Sequence, residues 1–390
     1  MKNIGIVAEY NPLHNGHIYH INKIKSNFPN SNIIVIMSGN YVQRGEPAII
    51  DKFDRANLAI QNGCDLVIQL PTIASLQSAN LFAFTAVNIL DKLEIIDYIS
   101  FGVESYNIED FNDMVDFQIK NEQKINELQK KYIKNGYSYK VSYQKAINEL
   151  DPNKIKYISK PNNTLAIQYI KSLKKINSDI NYYPIIRNDG GYNSNTLDDF
   201  EFQSASTIRN LIKKNINFTE YAPKQIKYLL PINLKSINDY SSILNYSINI
   251  QEKNPENICG FEKGILNLLN SNLDANIKDA IDKSHNKRYT KSRLQRFVLN
   301  YLLDINNDIV NSMYKINYIY PLKFNKKGAK ILKEIKDMEN LIIITNFKDS
   351  YNLDLINKKI FDIEIKANSL YYINDKTEKD RFYSNIPFVY

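Results

Sequence analysis

Histidine is scarce in this chain, with 4 among 390 residues, yet His14, His17 and His20 stand within one short run. The run reads Tyr10-Asn11-Pro12-Leu13-His14-Asn15-Gly16-His17-Ile18-Tyr19-His20. Imidazole gives or takes a proton near neutral pH, so two rings flanking a glycine can close on one anion. A phosphoryl group suits the arrangement, because the glycine admits the backbone closely and the rings add donors. Histidines one turn apart also ligate metals, and a histidine at a helix start also serves as a cap. No cysteine or carboxylate cluster adjoins this run.

The elements that must hold these residues are legible around them. Ile4-Gly5-Ile6-Val7-Ala8 reads as a buried strand with Glu9 at its end, and apolar residues recur at helical spacing over 18–28. Strand, tight turn and helix together place unpaired N–H groups and the positive end of a helix dipole at the turn. The same alternation continues over the first 215 residues, with candidate strands at 4–8, 32–37, 65–70, 96–101 and 182–187. Helical patterns lie between them at 18–28, 52–62, 76–92 and 165–175, and 108–150 reads as a helical insertion. An α/β domain with a parallel sheet follows, and its ligands should gather at the carboxyl ends of the strands. Ser38-Gly39-Asn40, Gly102 and Arg187-Asn188-Asp189-Gly190 all fall at such ends.

At 390 residues two domains are expected. Alternation fades beyond 220, which divides the chain into 1–220 and a mostly helical 221–390. Within the second part, 326–337 reads as helix and 341–345 as strand. The chain is 43% hydrophobic and 24% charged, ordinary for a globular protein, and no apolar run is long enough to span a bilayer. Cys64 and Cys259 match neither a disulfide nor a zinc pattern, and no leader precedes Ile4, so the expected compartment is the cytoplasm. A net charge of +8 permits a polyanionic partner such as RNA. The densest basic stretch is Lys287-Arg288-Tyr289-Thr290-Lys291-Ser292-Arg293-Leu294-Gln295-Arg296.

His14-Asn15-Gly16-His17 is the His-x-Gly-His signature of nucleotidylyl transferases. Further blocks narrow the resemblance: Ser38-Gly39-Asn40-Tyr41-Val42-Gln43-Arg44-Gly45-Glu46-Pro47-Ala48, Asp51-Lys52-Phe53-Asp54-Arg55-Ala56, and Asp65-Leu66-Val67-Ile68-Gln69-Leu70-Pro71. Phe101-Gly102-Val103-Glu104-Ser105, Lys160-Pro161-Asn162-Asn163-Thr164-Leu165-Ala166 and Ser204-Ala205-Ser206-Thr207-Ile208-Arg209 follow in order. In this order and spacing the chain resembles the bacterial tRNA(Met) cytidine acetate ligase family over its whole length. It departs from the family pattern at Gln69, where a carboxylate is common, at Ile186, where a lysine is common, and at Asn193, where a histidine is common.

The resemblance implies a Rossmann-like nucleotidylyl transferase domain and a definite chemistry. Such ligases activate acetate with ATP, giving acetyl-adenylate and pyrophosphate, and pass the acetyl group to the wobble cytidine of elongator tRNA(Met). Acetyl-coenzyme A takes no part. Magnesium is expected with the ATP, and no carboxylate constellation marks a protein-held metal site. The oligomeric state stays open.

By the same resemblance ATP is met by Val7, Ala8, Glu9, Tyr10, Asn11, Pro12, Leu13, His14, Asn15, Gly16, His17, Ile18, Tyr19 and His20. Gly102, Asn162, Arg187, Asn188, Ser206 and Thr207 complete the expected ATP set. His14 and His17 are the candidates for stabilising phosphoryl charge, while His20, half a turn on, is expected nearer the rim. Asn162 also reads as a helix cap, and the Ser204 to Arg209 segment as an N-cap with β- and γ-phosphate contacts. Arg44 and Lys52 are candidates for acetate or α-phosphate charge, with ion pairs to Glu46 or Asp54 as the plain alternative. Lys287, Arg288, Lys291, Arg293 and Arg296 are expected on RNA phosphates, with Tyr289 available to stack; the alternative is a solvated basic face. A small-molecule nucleotidylyltransferase would share the histidine turn but has no use for a basic C-terminal part.

Overall fold

A computed structural model describes residues 1–104, 107–158, 161–186, 202–231, 233–251, 253–273, 276–375 and 387. The apolar runs expected as strands form β1 (Asn3–Ala8), β2 (Asn32–Ser38), β5 (Leu66–Leu70), β6 (Tyr98–Val103) and β7 (Asn181–Ile186). Two-residue strands β3 (Tyr41–Val42) and β4 (Glu46–Pro47) make a separate small hairpin after β2. The connecting helices are α1 (Asn15–Asn27), α2 (Lys52–Gln61), α3 (Thr72–Ser75), α4 (Ala79–Lys92) and α8 (Pro161–Ile176). Helices α5 (Ile108–Lys120), α6 (Glu122–Lys134) and α7 (Tyr139–Leu150) form the expected insertion. Helix α9 (Ala205–Lys213) closes the first half.

In space the sheet runs β7-β6-β1-β2-β5, all parallel. Every residue of β2 and β5 is buried, as expected for strands covered on both faces. From β1 the chain winds through β2 to β5 on one side, then returns to lay β6 and β7 on the other. That reversal leaves a crevice outside the carboxyl ends of β1 and β6, where open sheets bind ligands. The α/β fold class is as expected.

One strand of this sheet comes from far along the chain. β8 (Tyr318–Ile319) leads into β9 (Pro321–Phe324), which pairs antiparallel with β5, Leu66 opposite Phe324. The expected strand at 341–345 is only β10 (Ile342–Ile343), paired with β8. One large hydrophobic core therefore runs from Ile4 and Val35 to Leu322, Ile360 and Phe361. Phe218, Ala222 and Ile226, beside the expected division at 220, pack with Ile50, Leu58 and Ile208 in a smaller core. The helix Leu355–Tyr371 clamps the two halves through polar groups. Asn368 accepts from the Asn40 amide at 3.3 Å, and the Tyr371 hydroxyl donates to the Ala48 carbonyl at 2.9 Å.

Candidate active site

His14 ends the turn after β1 and is the N-cap of α1, so the helix begins three residues earlier than apolar spacing alone suggests. Its Nδ1 accepts the Gly16 N–H at 3.1 Å, while its own N–H donates to His17 Nδ1 at 3.2 Å. The two rings lie 3.7 Å apart, and the edge of Tyr10 packs on His17 at 4.9 Å. With both Nδ1 atoms accepting, the neutral rings carry their protons on Nε2, so each is a donor there. Both residues line a cleft in the crevice between β1 and β6. A Cβ at Gly16 would sit 3.0 Å from the His14 ring and press on it. His20 bonds through Nε2 to the Ser100 hydroxyl of β6 at 2.8 Å and also faces the cleft.

The opposite wall is built by α8 and α9. Ser204 caps α9, accepting the Thr207 N–H at 3.1 Å and lying 2.9 Å from the Ser206 hydroxyl. Ser206 and Arg209 face the cleft, and Arg209 is tied to the histidine turn by donating to the Asn11 carbonyl at 2.7 Å. Gly102 of β6 and Asn162 of α8 complete this side. Glu104 orders that corner: it accepts from the Asn162 amide at 2.8 Å and from the N–H groups of Asn162 and Asn163 at 3.1 and 2.9 Å. A carboxylate at the start of α8 also complements the helix dipole.

The floor is Glu9, Gln43 and Arg44. Glu9 accepts the Gln43 N–H at 2.7 Å, and desolvation pushes its carboxyl above the usual range against the pull of Arg209, Arg55 and Arg44. Beneath it Arg55 is fully buried, which is tolerable because its guanidinium meets four backbone carbonyls. They are Ile50 at 2.9 Å, Glu9 at 2.6 Å, Ser38 at 3.1 Å and Gly39. Arg55 thus fastens the ends of β1 and β2 at a fixed spacing under the cleft. Nothing in the spacing of the sequence distinguished this arginine from Arg44.

The cleft therefore offers paired imidazole donors, a hydroxyl-rich helix start, two arginines and one carboxylate around a single crevice. That set suits an anionic phosphate chain and a second anion beside it. A family model described as HIGH Nucleotidyl Transferase matches residues 1–385. A Thermoanaerobacter sp. (strain X514) protein named tRNA(Met) cytidine acetate ligase is 37% identical over 383 residues, covering 94% of each chain. A Clostridium botulinum (strain Langeland) protein of the same name is 36% identical over 402 residues, 97% of each chain. The chain belongs to the tRNA(Met) cytidine acetate ligase family. The crystal structure of Thermotoga maritima TmcAL in its apo form I superimposes with a TM-score of 0.88 at 28% identity, covering 100% of this chain and 99% of that one. The same protein bound with alpha-thio ATP gives a TM-score of 0.86 at 28% identity, with 100% of both chains covered.

The expected ATP residues fall in three groups. Val7, Ala8, Glu9, Tyr10, Asn11, His14, Gly16, His17, Tyr19, His20, Gly102, Asn162 and Ser206 line the cleft. Pro12, Leu13, Asn15, Ile18 and Thr207 do not line it. Leu13 is fully buried in the core, Thr207 is 4% exposed beneath the Ser204 cap, and Asn15 donates to the Glu220 carbonyl at 2.7 Å. Arg187 and Asn188 lie outside the described residues.

Lys52 is a correction: it lies away from the cleft lining and is 1% exposed. Its ammonium donates to Gln69 Oε1 at 2.8 Å, and the Gln69 amide donates in turn to Glu364. Glu364 also takes the Thr72 hydroxyl at 2.8 Å. An amide at position 69 bridges cation and anion, whereas a carboxylate there would face Glu364 directly. Burial lowers the Lys52 pKa to about 8 and raises that of Glu364.

The basic segment forms the start of the helix Lys291–Leu303, capped by Thr290. Lys287, Arg288 and Lys291 are exposed. Glu262 gathers Arg288 at 2.7 Å and Arg293, and Lys291 pairs with Asp282 at 2.5 Å. Tyr289 is not available to stack: it is 7% exposed, its hydroxyl bonds Glu262 at 3.1 Å, and Arg288 and Arg293 cover its ring. Arg296 is a second correction, because it points inward and donates to the Gln43 carbonyl at 3.1 Å. Among the described residues no group of three or more histidine, cysteine, aspartate or glutamate side chains could hold a metal ion. No described helix is long and apolar enough to cross a membrane.

Proposed function

We propose that this protein is an ATP-dependent ligase that acetylates the wobble cytidine of elongator tRNA(Met), using free acetate. Family membership and the names of its relatives support the reaction class. The observation that carries the site assignment is the reciprocal bonding of His14 and His17, which locks two Nε2 donors at a helix start inside the cleft.

In the first step an acetate oxygen attacks the α-phosphorus of ATP, the bond to the bridging oxygen breaks, and pyrophosphate leaves. Negative charge on the phosphoryl oxygens grows during this displacement, so fixed donors aimed there lower the barrier most. His14 and His17 supply them. Ser206, with its hydroxyl fixed by the Ser204 cap, and Arg209 hold the β- and γ-phosphates, and the guanidinium keeps its charge throughout. Gly102 and Asn162, with Arg187 and Asn188, receive the adenosine. Arg44 neutralises acetate, which otherwise meets the phosphates as one anion against another. Bound with the nucleotide, magnesium would offset charge on its phosphates.

In the second step the exocyclic amine of cytidine attacks the acetyl carbon, AMP leaves, and the amine gives up a proton. Residues 1–220 carry the activation chemistry and 221–390 present the tRNA, through the exposed cations Lys287, Arg288 and Lys291. The protein works in the cytoplasm, where its tRNA substrate is. Incubation of the protein with tRNA(Met), acetate and ATP tests the reading by nucleoside mass spectrometry. Acetylcytidine at the wobble position is the expected product. Unmodified tRNA beside an adenylated small molecule would point to a nucleotidylyltransferase instead.

A further inference from the structure

We infer that Arg296 is a positioning residue for acetate activation, holding the cleft floor from the C-terminal half so that Arg44 meets the carboxylate. The inference rests on the proposed acetate-adenylating reading. Gln43 is fastened on both sides of its α-carbon, its N–H on Glu9 at 2.7 Å and its carbonyl on Arg296 at 3.1 Å. Arg44 is the next residue and faces the cleft, whereas Arg296 does not.

The hairpin carrying Gln43 and Arg44 cannot hold itself. Its strands pair only Tyr41 with Pro47 and Val42 with Glu46, and a bare two-stranded hairpin is marginal in water. Buried Tyr41 and Val42 anchor its first strand, and the basic helix supports the turn side that carries Gln43 and Glu46. Gln295 donates to Glu46 at 2.9 Å, across the hairpin from the Arg296 contact. Gly45, at φ +79°, rests on the helix backbone so closely that a Cβ would lie 2.4 Å from the Arg296 nitrogen. Arg296 also differs from its neighbours in the run. Glu262 engages Arg288 and Arg293, but among the described residues no carboxylate pairs with Arg296. Its guanidinium donates instead to the Gln43 carbonyl of the floor.

The test is acetate-dependent exchange of pyrophosphate into ATP, measured without tRNA, for wild type, Arg296→Met, Arg296→Lys and Gly45→Ala. Arg296→Met should raise the KM for acetate by about tenfold or more, since small misplacements of a binding group are costly. The KM for ATP and the affinity for tRNA should stay near wild type. Arg296→Lys keeps one donor for the Gln43 carbonyl and should recover part of the loss. Gly45→Ala, which keeps the Arg296 guanidinium but forces the hairpin and the helix backbone apart, should reproduce the rise in acetate KM and so separates loop position from charge. Unchanged acetate kinetics in Arg296→Met and Gly45→Ala overturn the inference, as does a loss confined to tRNA affinity, which makes Arg296 a phosphate contact. Absence of exchange in the wild type contradicts the proposed function itself, and the inference with it.

Discussion

His14 and His17 cap one helix together: each Nδ1 accepts a backbone N–H of the turn, and the ring centroids lie 3.7 Å apart with the planes tilted by 34°. The helix end thus fixes the tautomer of both rings and hands their Nε2 donors to the cleft. Structure and chemistry share the same atoms here, so each substitution has two effects that must be separated.

His14→Ala and His17→Ala are each expected to cut pyrophosphate exchange by 10²–10³-fold, about 2.7–4 kcal/mol of barrier. Loss of the His14 cap alone costs stability of about 1 kcal/mol. His14→Asn, which can still cap, should regain that stability without regaining exchange. Near-normal exchange in both alanine variants would remove the histidines from the mechanism.

Glu104 holds Asn162 through the amide and backbone of the α8 start. Glu104→Ala should weaken ATP binding by about 1.5–3 kcal/mol, the worth of hydrogen bonds to a charged group. Isothermal titration with a non-hydrolysable ATP analogue measures it. Wild-type affinity would show that Asn162 needs no such support.

The Lys52–Gln69–Glu364 cluster makes an alkaline prediction. Lys52 has a folded pKa of about 8 against an ordinary 10.5, so between these values the unfolded chain binds the extra proton. Stability supplied by this group therefore rises as pH rises through that window, by about 1 kcal/mol between pH 8 and pH 9. Urea midpoints at the two pH values should show the gain in wild type and not in Lys52→Met. At neutral pH Lys52→Met should itself cost on the order of 3 kcal/mol, because Glu364 loses its counter-charge in the core. Exchange activity of the folded fraction should persist, since Lys52 lies outside the cleft.

Reversal of the exposed cations Lys287 and Lys291 to glutamate should abolish tRNA acetylation and leave pyrophosphate exchange intact. Wild-type tRNA affinity should fall steeply with salt, and the double variant should show a shallower slope. Unaltered tRNA affinity in filter binding would place the RNA surface elsewhere.

What could be read from the chain was what neighbours in sequence decide. The strand at Ile4, the histidine turn and α1 show in local pattern although β1 pairs with Asn32 and Tyr98 far along the chain, and the parallel strands announce themselves by unbroken apolar runs. Asn162, read as a cap before Thr164 or as an ATP contact, stands inside the first turn of α8 with its amide on Glu104 and lines the cleft. β9 was missed because four residues beginning with Pro321 show no period, and their place at the sheet edge is set by Leu66 to Ile68, far away in sequence. Arg55 and Arg209 were visible as residues but not as parts, since their partners are backbone carbonyls, which sequence does not mark. The basic run was legible only in part, for a related reason. A string of cations reads as a solvated or RNA-facing surface, whereas Glu262 and Gln43 draw Arg293 and Arg296 inward from positions that local spacing does not reveal.

The most direct test of the central claim follows the products of labelled acetate, ATP and tRNA(Met) in one reaction. A cleft built for attack on an α-phosphate predicts that label enters the wobble cytidine with one AMP and one pyrophosphate released per acetyl group. Acetyl-coenzyme A should not replace acetate and ATP, because a thioester is already activated and needs no phosphoryl displacement. Release of ADP and phosphate, or full acetylation from acetyl-coenzyme A without ATP, would contradict the account at its base.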